Sequence, residues 1–225
     1  MAGPKMIFDI ETVGVEFDSL DEKSREFLMR FAEDESAKDE VRDGLSFSPL
    51  TGKVVAIGIL NPDTERGAVY FLADAKTTKF EKNSGQFIPC QDEKELLESF
   101  WEVASHYDQF ITFNGRGFDC PYLLVRSAIL KVKPSRNLMP NRYYDSHIDL
   151  LDRLTFFGAV RRKMNLHMWC QAFGIESPKS KGVTGHEVAD LFKNKKYKEI
   201  AEYCYDDVKA TKELYKYWEK YINIK

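Results

Sequence analysis

The chain has 225 residues, 43% of them hydrophobic, and a formal net charge of −3 from 33 basic and 36 acidic side chains. That length and apolar content suffice for a sizeable core in one large or two small domains, and the balance of charge excludes a protein wrapped in a basic coat, so any nucleic-acid contact must be local. No apolar run approaches the roughly 20 residues that span a bilayer, the N-terminus lacks a basic stretch followed by an apolar one, and the four cysteines stand singly; the expectation is a cytoplasmic protein, not bound to membranes, with reduced core cysteines.

The first predicted element is Met6-Ile7-Phe8-Asp9-Ile10-Glu11-Thr12, an apolar strand interrupted by two carboxylates. Alternation places Asp9 and Glu11 on one face and Phe8 and Ile10 on the other. Like charges on a buried face force one member to protonate unless a cation lies between them; the other reading is a strand running into a loop, with Asp9 capping the turn and Glu11 in water. A short amphipathic helix over 26–32 and five carboxylates between Glu33 and Glu40 follow, and 20–48 reads as an insertion. The β-branched stretch 53–60 stops at Asn61-Pro62-Asp63 and resumes over 67–72, which with the first strand makes a three-stranded antiparallel meander. Residues 77–90 read as a protruding hairpin turning at Asn83-Ser84-Gly85, within a second insertion over 74–91.

From Asp92 the period becomes helical, with Leu96, Leu97, Phe100, Trp101 and Ala104 on one face. A strand at 110–113 ends at Asn114-Gly115 and a helix opens near Pro121, running to 130. A further strand is expected at 146–150, a helix over 166–173 stopped by Gly174, and a long helix from Tyr197 to about Tyr221 with Ile200, Cys204, Val208, Thr211, Leu214 and Trp218 as its buried stripe. Strand–helix alternation implies parallel pairing in this half, so the fold class is α/β with a mixed sheet flanked by helices, and the chain reads as a single domain over 1–225.

Two further stretches carry candidate chemistry. In Asn114-Gly115-Arg116-Gly117-Phe118-Asp119 the glycines permit backbone conformations that other residues avoid, and Asp119 either caps the helix or joins Asp9 at the C-terminal ends of parallel strands, where active crevices form. In the last helix Tyr203 and Asp207 lie one turn apart on one face beside the buried stripe. Asp207 reads either as part of the site or as a solvated edge charge; Asp206, further round, fits the solvated reading.

Asp9-x-Glu11, Asn114-x-x-x-Phe118-Asp119 and Tyr203-x-x-x-Asp207, in this order across nearly the whole chain, resemble the three exonuclease motifs of the DEDD family. The nearest resemblance is to the proofreading exonuclease domain of family B DNA polymerases and its stand-alone relatives. The family's other branch has a histidine five residues before the last aspartate; here that position is Glu202, so the chain is similar to the tyrosine branch. The resemblance implies a ribonuclease-H-like fold, and too little chain follows Trp218 for a polymerase.

Four carboxylates without histidine or thiolate make an all-oxygen site suited to Mg²⁺ or Mn²⁺. Two such ions, roughly 3.5 to 4 Å apart, would activate a water and stabilise the leaving oxygen. The resemblance implies that Asp9 bridges both ions, that Glu11 and Asp207 hold the one carrying the water, and that Asp119 holds the other. Tyr203 orients the water, because a phenol with an ordinary pKa near 10 is a poor base. Thr12, Asn114 and Phe118 are the expected contacts to the terminal nucleotide, Phe118 by stacking or else as core. Arg161-Arg162-Lys163, with Lys179 and Lys181, would grip phosphates, the lysine-rich 193–198 stretch reads as a solvated face, and His106, His147, His167 and His186 read as structural. The expected activity is 3′–5′ hydrolysis of nucleic-acid 3′ ends, single-stranded DNA first, to nucleoside 5′-monophosphates. An inactive nucleic-acid-binding or scaffold domain on the same fold, and an RNA-directed exoribonuclease, are the alternatives.

Overall fold

The computed structural model describes residues 3–177 and 185–224, the side chains of 185 and 186 excepted, so Lys179, Lys181 and the His186 side chain lie outside the described residues. Along the chain, β1 (Lys5–Gly14) is followed by α1 (Glu22–Met29), α2 (Glu35–Asp43), β2 (Gly52–Leu60), β3 (Gly67–Leu72), β4 (Phe80–Lys82) and β5 (Gly85–Cys90). Helix α3 (Glu93–Ala104) leads to β6 (Gln109–Thr112), α4 (Asp119–Ile129), β7 (His147–Asp149) and the short α5 (Leu150–Leu154). Helices α6 (Leu166–Phe173), α7 (Gly185–Lys193) and α8 (Tyr197–Tyr221) follow.

The strands form one sheet in the order β4-β5-β3-β2-β1-β6-β7. Strands β1, β2 and β3 are the expected antiparallel meander, and β6 and β7 join in parallel on the other side of β1. The hairpin does not protrude. Strand β5 pairs in parallel with β3 from Gly67↔Gly85 to Leu72↔Cys90, because Phe87 and Cys90 are core side chains that need the sheet beneath them. Phe80 stacks on Phe87 with centroids 4.5 Å apart, which holds β4 at the edge.

Each face of β1 has its own cover. Phe8 packs against Phe100 of α3, centroids 5.6 Å apart, while α8 lies across β1 and β2 on the face that carries Asp9 and Glu11. The stripe from Ile200 to Trp218 is buried as the helical period requires. How closely α8 approaches is set by Gly58, which pairs with Asp9 in the register of β1 and β2. A Cβ there would sit 2.8 Å from Val208 Cγ2 and 3.2 Å from the Cys204 carbonyl oxygen, so only glycine lets the helix down onto the strand beside Asp9.

The stretch read as the first insertion holds two α-helices, α1 and α2, joined over residues 30–34, rather than one helix with a polar tail. Asp21 caps α1 through the Ser24 amide and Asp34 caps α2 through the Ala37 amide, while Glu35–Lys38 and Asp39–Arg42 pair along α2. Neither helix buries a residue, and Phe27 and Phe31 are 64% and 83% exposed, so caps and charge pairs, not an apolar stripe, define them. All four cysteines are buried and unpaired. Among the described residues no helix is long and apolar enough to cross a membrane.

Candidate active site

Strand β1 outruns β6. Their parallel pairing covers Lys5↔Gln109 to Ile7↔Ile111, whereas β1 continues along β2 to Gly14 with a bulge between Glu11 and Thr12. Asp9 is therefore not at the end of its own strand, as the sequence suggested, but just beyond the stretch its neighbour covers. On the edge left open there, the Ile10 N–H donates to Asp119 Oδ1 at 3.1 Å. Asp119 is the first residue of α4 and makes no capping bond; its carboxylate crosses to β1 instead.

The loop that delivers Asp119 is held by Asp149, a residue the sequence reading passed over. At the end of β7 its carboxylate accepts from the Asn114 and Arg116 amides, both at 2.9 Å, and from the Leu151 amide at 3.0 Å. Its sequence signal was only an acid at a strand end. The left-handed residue in this loop is Asn114, with φ 62°; Gly115 and Gly117 have no positive φ. Gly115 is required for space, since a Cβ would lie 2.3 Å from Thr112 Oγ1 and 2.5 Å from Thr112 Cβ. Phe118 is half-buried, its ring 5.3 Å from Tyr122 and 6.4 Å from Phe47.

From the other side α8 presents Tyr203 and Asp207, and the Tyr203 hydroxyl donates to the Asp207 carboxylate. The electrostatics are those of crowded acids. Burial, then the charges of Asp119, Asp207 and Glu11, push the Asp9 carboxyl well above its ordinary range. Glu11 is raised likewise by burial, Asp207 and Asp119. Asp119 is pushed up to about 7 by burial, aided by Asp149 and Asp207 and opposed by hydrogen bonds from its own amide and that of Ile10. Burial and the neighbouring acids raise Tyr203, which stays a neutral phenol. Carboxylates held together against both desolvation and repulsion fit a compensating cation. Ligand atoms of Asp9, Glu11 and Cys204 lie within 4.8 Å of one another. The Cys204 thiol is also pushed up by burial and by the acids, and it donates to the Asp9 carbonyl at 3.6 Å, so the available donors are oxygens, as a hard divalent ion prefers.

Asp9, Asp119, Tyr203 and Asp207 open into a pocket of about 470 Å³, with Asn114 and Phe118 on its wall. Glu11 is buried behind that lining, and so is Thr12, whose hydroxyl donates to the Ser46 carbonyl at 2.9 Å. The opposite wall carries Lys163, Asn165 and His167. Of the exposed Arg161, Arg162 and Lys163, it is Lys163 that reaches the pocket. His167, read as structural, belongs to the wall: its Nδ1 lies 2.7 Å from Ser177 Oγ, a placement that depends on how α6 docks and has no ligand-like spacing in sequence. His147 is structural as expected, buried with Nε2 2.9 Å from Thr112 Oγ1 and pushed down to about 4, chiefly by burial. Asp206 pairs with Lys209 and does not line the pocket.

Fold and site together define a ribonuclease-H-like α/β protein whose acidic cleft suits a divalent metal. Residues 51–222 match the family described as predicted 3′–5′ exonuclease related to the exonuclease domain of PolB, and the chain belongs to that family. It is 31% identical over 137 residues to a DNA polymerase of Pyrococcus glycovorans, covering 54% of this chain and 18% of that one. It is 34% identical over 136 residues to DNA polymerase 1 of Pyrococcus abyssi, with the same coverage, and 30% identical over 151 residues to a DNA polymerase of Methanocaldococcus jannaschii, covering 57% and 8%. The chain thus spans less than a fifth of these relatives. The solved structure of the family B DNA polymerase from Pyrobaculum calidifontis shares the fold, with a TM-score of 0.62 over 97% of this chain and 25% of that one at 19% identity.

Proposed function

We propose that this protein is a cytoplasmic, single-domain, metal-dependent 3′–5′ exonuclease that releases nucleoside 5′-monophosphates from nucleic-acid 3′ ends, single-stranded DNA first. The observation that carries the reading is the convergence of Asp9, Asp119 and Asp207 from β1, α4 and α8 on one pocket beside Tyr203, in a chain of this family. Asp9, Glu11, Asp119 and Asp207 would hold two Mg²⁺ or Mn²⁺ ions, which when bound supply an activated water and neutralise charge on the phosphate and leaving oxygen. Tyr203, kept protonated, serves as a hydrogen-bonding orienter of the attacking water and not as its base. Asn114 and Phe118 contact the terminal nucleotide, Phe118 offering its half-buried ring for stacking that any base satisfies; Thr12, expected beside them, is buried off the pocket with its hydroxyl committed to the Ser46 carbonyl and takes no part. Lys163 faces the same pocket with a charge suited to phosphate.

Single-stranded DNA and RNA oligonucleotides labelled at the 5′ end test this directly. With Mn²⁺ or Mg²⁺ a ladder descending one nucleotide at a time is expected, with no products in excess chelator and poor cleavage of a 3′-phosphorylated end. Early release of the 5′ label as a mononucleotide, or full activity in chelator, would overturn the assignment. Faster cleavage of RNA would move the substrate class, and binding without cleavage would point to an inactive domain.

A further inference from the structure

A second cleft, about 900 Å³, lies at the far end of β1 between Val13, Gly14 and the turn joining α7 to α8. Four cationic residues line it, Arg42, Lys53, Lys193 and Lys195, against the three carboxylates of Glu16, Asp43 and Asp190. Two aromatic rings stand among them: Phe192 and Tyr197, half-buried, with centroids 5.3 Å apart and Lys53 Nζ 4.7 Å from the Phe192 centroid. Arg42 and Lys195 have partners in Asp39 at 2.7 Å and Asp74 at 3.5 Å, but these are exposed pairs, worth little in water and readily exchanged for a phosphate.

This cleft shares no lining residue with the active-site pocket but adjoins it through residues 46 and 47. Ser46 lines the cleft and accepts from the Thr12 hydroxyl, and the next residue, Phe47, is 59% exposed with its ring against Phe118 of the pocket wall. A chain leaving the pocket past Phe118 meets Phe47 and then the cations. Cations interleaved with rings are how single strands are held without regard to sequence; here the lining carries an excess of one positive charge, with Lys193 and Lys195 exposed beside Phe192, on a protein of net charge −3. We propose that the cleft binds the single-stranded nucleic acid immediately 5′ of the nucleotide in the pocket, a reading that rests on the exonuclease assignment. It gives the protein a length-dependent affinity that the pocket alone lacks.

The test is Lys193→Ala combined with Lys195→Ala in the full chain, compared with the same two-charge change at Lys216 and Lys220, exposed residues of the last turns of α8. On a single strand of about 12 nucleotides the cleft variant should raise KM about fivefold or more with kcat within about twofold. On a dinucleotide, too short to reach the cleft, kcat/KM should stay within about twofold. Binding of the labelled 12-mer should lose salt dependence by about 1.4 in log–log slope, at about 0.7 per lost phosphate contact. Equal losses on both lengths, no change on either, or the same effect from the α8 control would overturn the proposal. If the wild-type chain cleaves neither substrate, the exonuclease assignment falls by itself; the cleft is then judged on 12-mer binding, where a slope unchanged by the double substitution, or no binding, overturns it.

Discussion

Asp119→Asn should make the metal-free protein more stable at alkaline pH while removing activity. The Asn oxygen can still accept from the Ile10 amide, so the crossing bond to β1 survives and the charge alone is lost. A carboxyl moved from its ordinary 3.8 to about 7 corresponds to roughly 4 kcal/mol, at about 1.4 kcal/mol per tenfold change in proton affinity. Because the folded pKa is raised, the native state binds more protons than the unfolded chain between about pH 4 and 7. Wild-type stability therefore falls as pH rises through that window, and the variant escapes the loss. Melts in chelator should give the two proteins similar stability at pH 4 and separate them by up to about 4 kcal/mol at pH 8.5, or about 8 to 15 °C for a chain of this size. Saturating Mn²⁺ at pH 8.5 should narrow or reverse the gap, because the wild type gains more binding energy. A gap of constant size at every pH, or a variant less stable than wild type at pH 8.5, would refute the electrostatic account of the site.

Gly58→Ala should lower stability by about 1 to 3 kcal/mol and activity about tenfold to a hundredfold, since the new methyl meets Val208 and Cys204 and lifts Tyr203 and Asp207 away from Asp9; thermal melts and turnover together check it. Tyr203→Phe should cost on the order of tenfold to a few hundredfold in turnover with little change in the Mn²⁺ requirement, whereas Asp207→Asn should cost far more and shift that requirement; equal losses with equal shifts would put Tyr203 on the metal rather than the water. His147, its folded pKa depressed to about 4, should cost the protein about 3 kcal/mol as pH falls from 6.5 towards 4; because Asp9 and Glu11 oppose this loss, it is read as the difference between the acid profiles of Asp119→Asn with and without His147→Gln, and two profiles of the same shape would exclude it.

Elements whose partners are implied by their own periodicity were legible in the sequence: β1 with its alternating Asp9 and Glu11, the meander, and α8 with its stripe. Tyr203 and Asp207 were legible for the same reason, being one turn apart on a helix whose buried face was known. Helix α2 was not, because its caps and i,i+3 ion pairs leave no apolar period to read. The parallel partner of β5 was a long-range choice that no local turn signal encodes. Asp149 and His167 were missed because their roles depend on which loop and which helix face arrive opposite them. Gly115 was noticed for the wrong reason: its need for glycine comes from the neighbouring Thr112 side chain and not from its own dihedral angles.

That β1 outruns its parallel neighbour has a consequence for solubility as well as chemistry. Beyond Ile7 the strand presents an open edge, and edges of this kind recruit other chains unless something covers them. Here the cover at Ile10 is a single carboxylate on the first turn of α4. Fraying of that turn would leave the Ile10 amide without its partner, on a stretch where the charges of Asp9 and Glu11 weigh against pairing with another chain. Asp119→Ala would strip this cover and strand a buried amide, so a loss of folded protein would be mistaken for a catalytic phenotype; the asparagine variant keeps the edge closed.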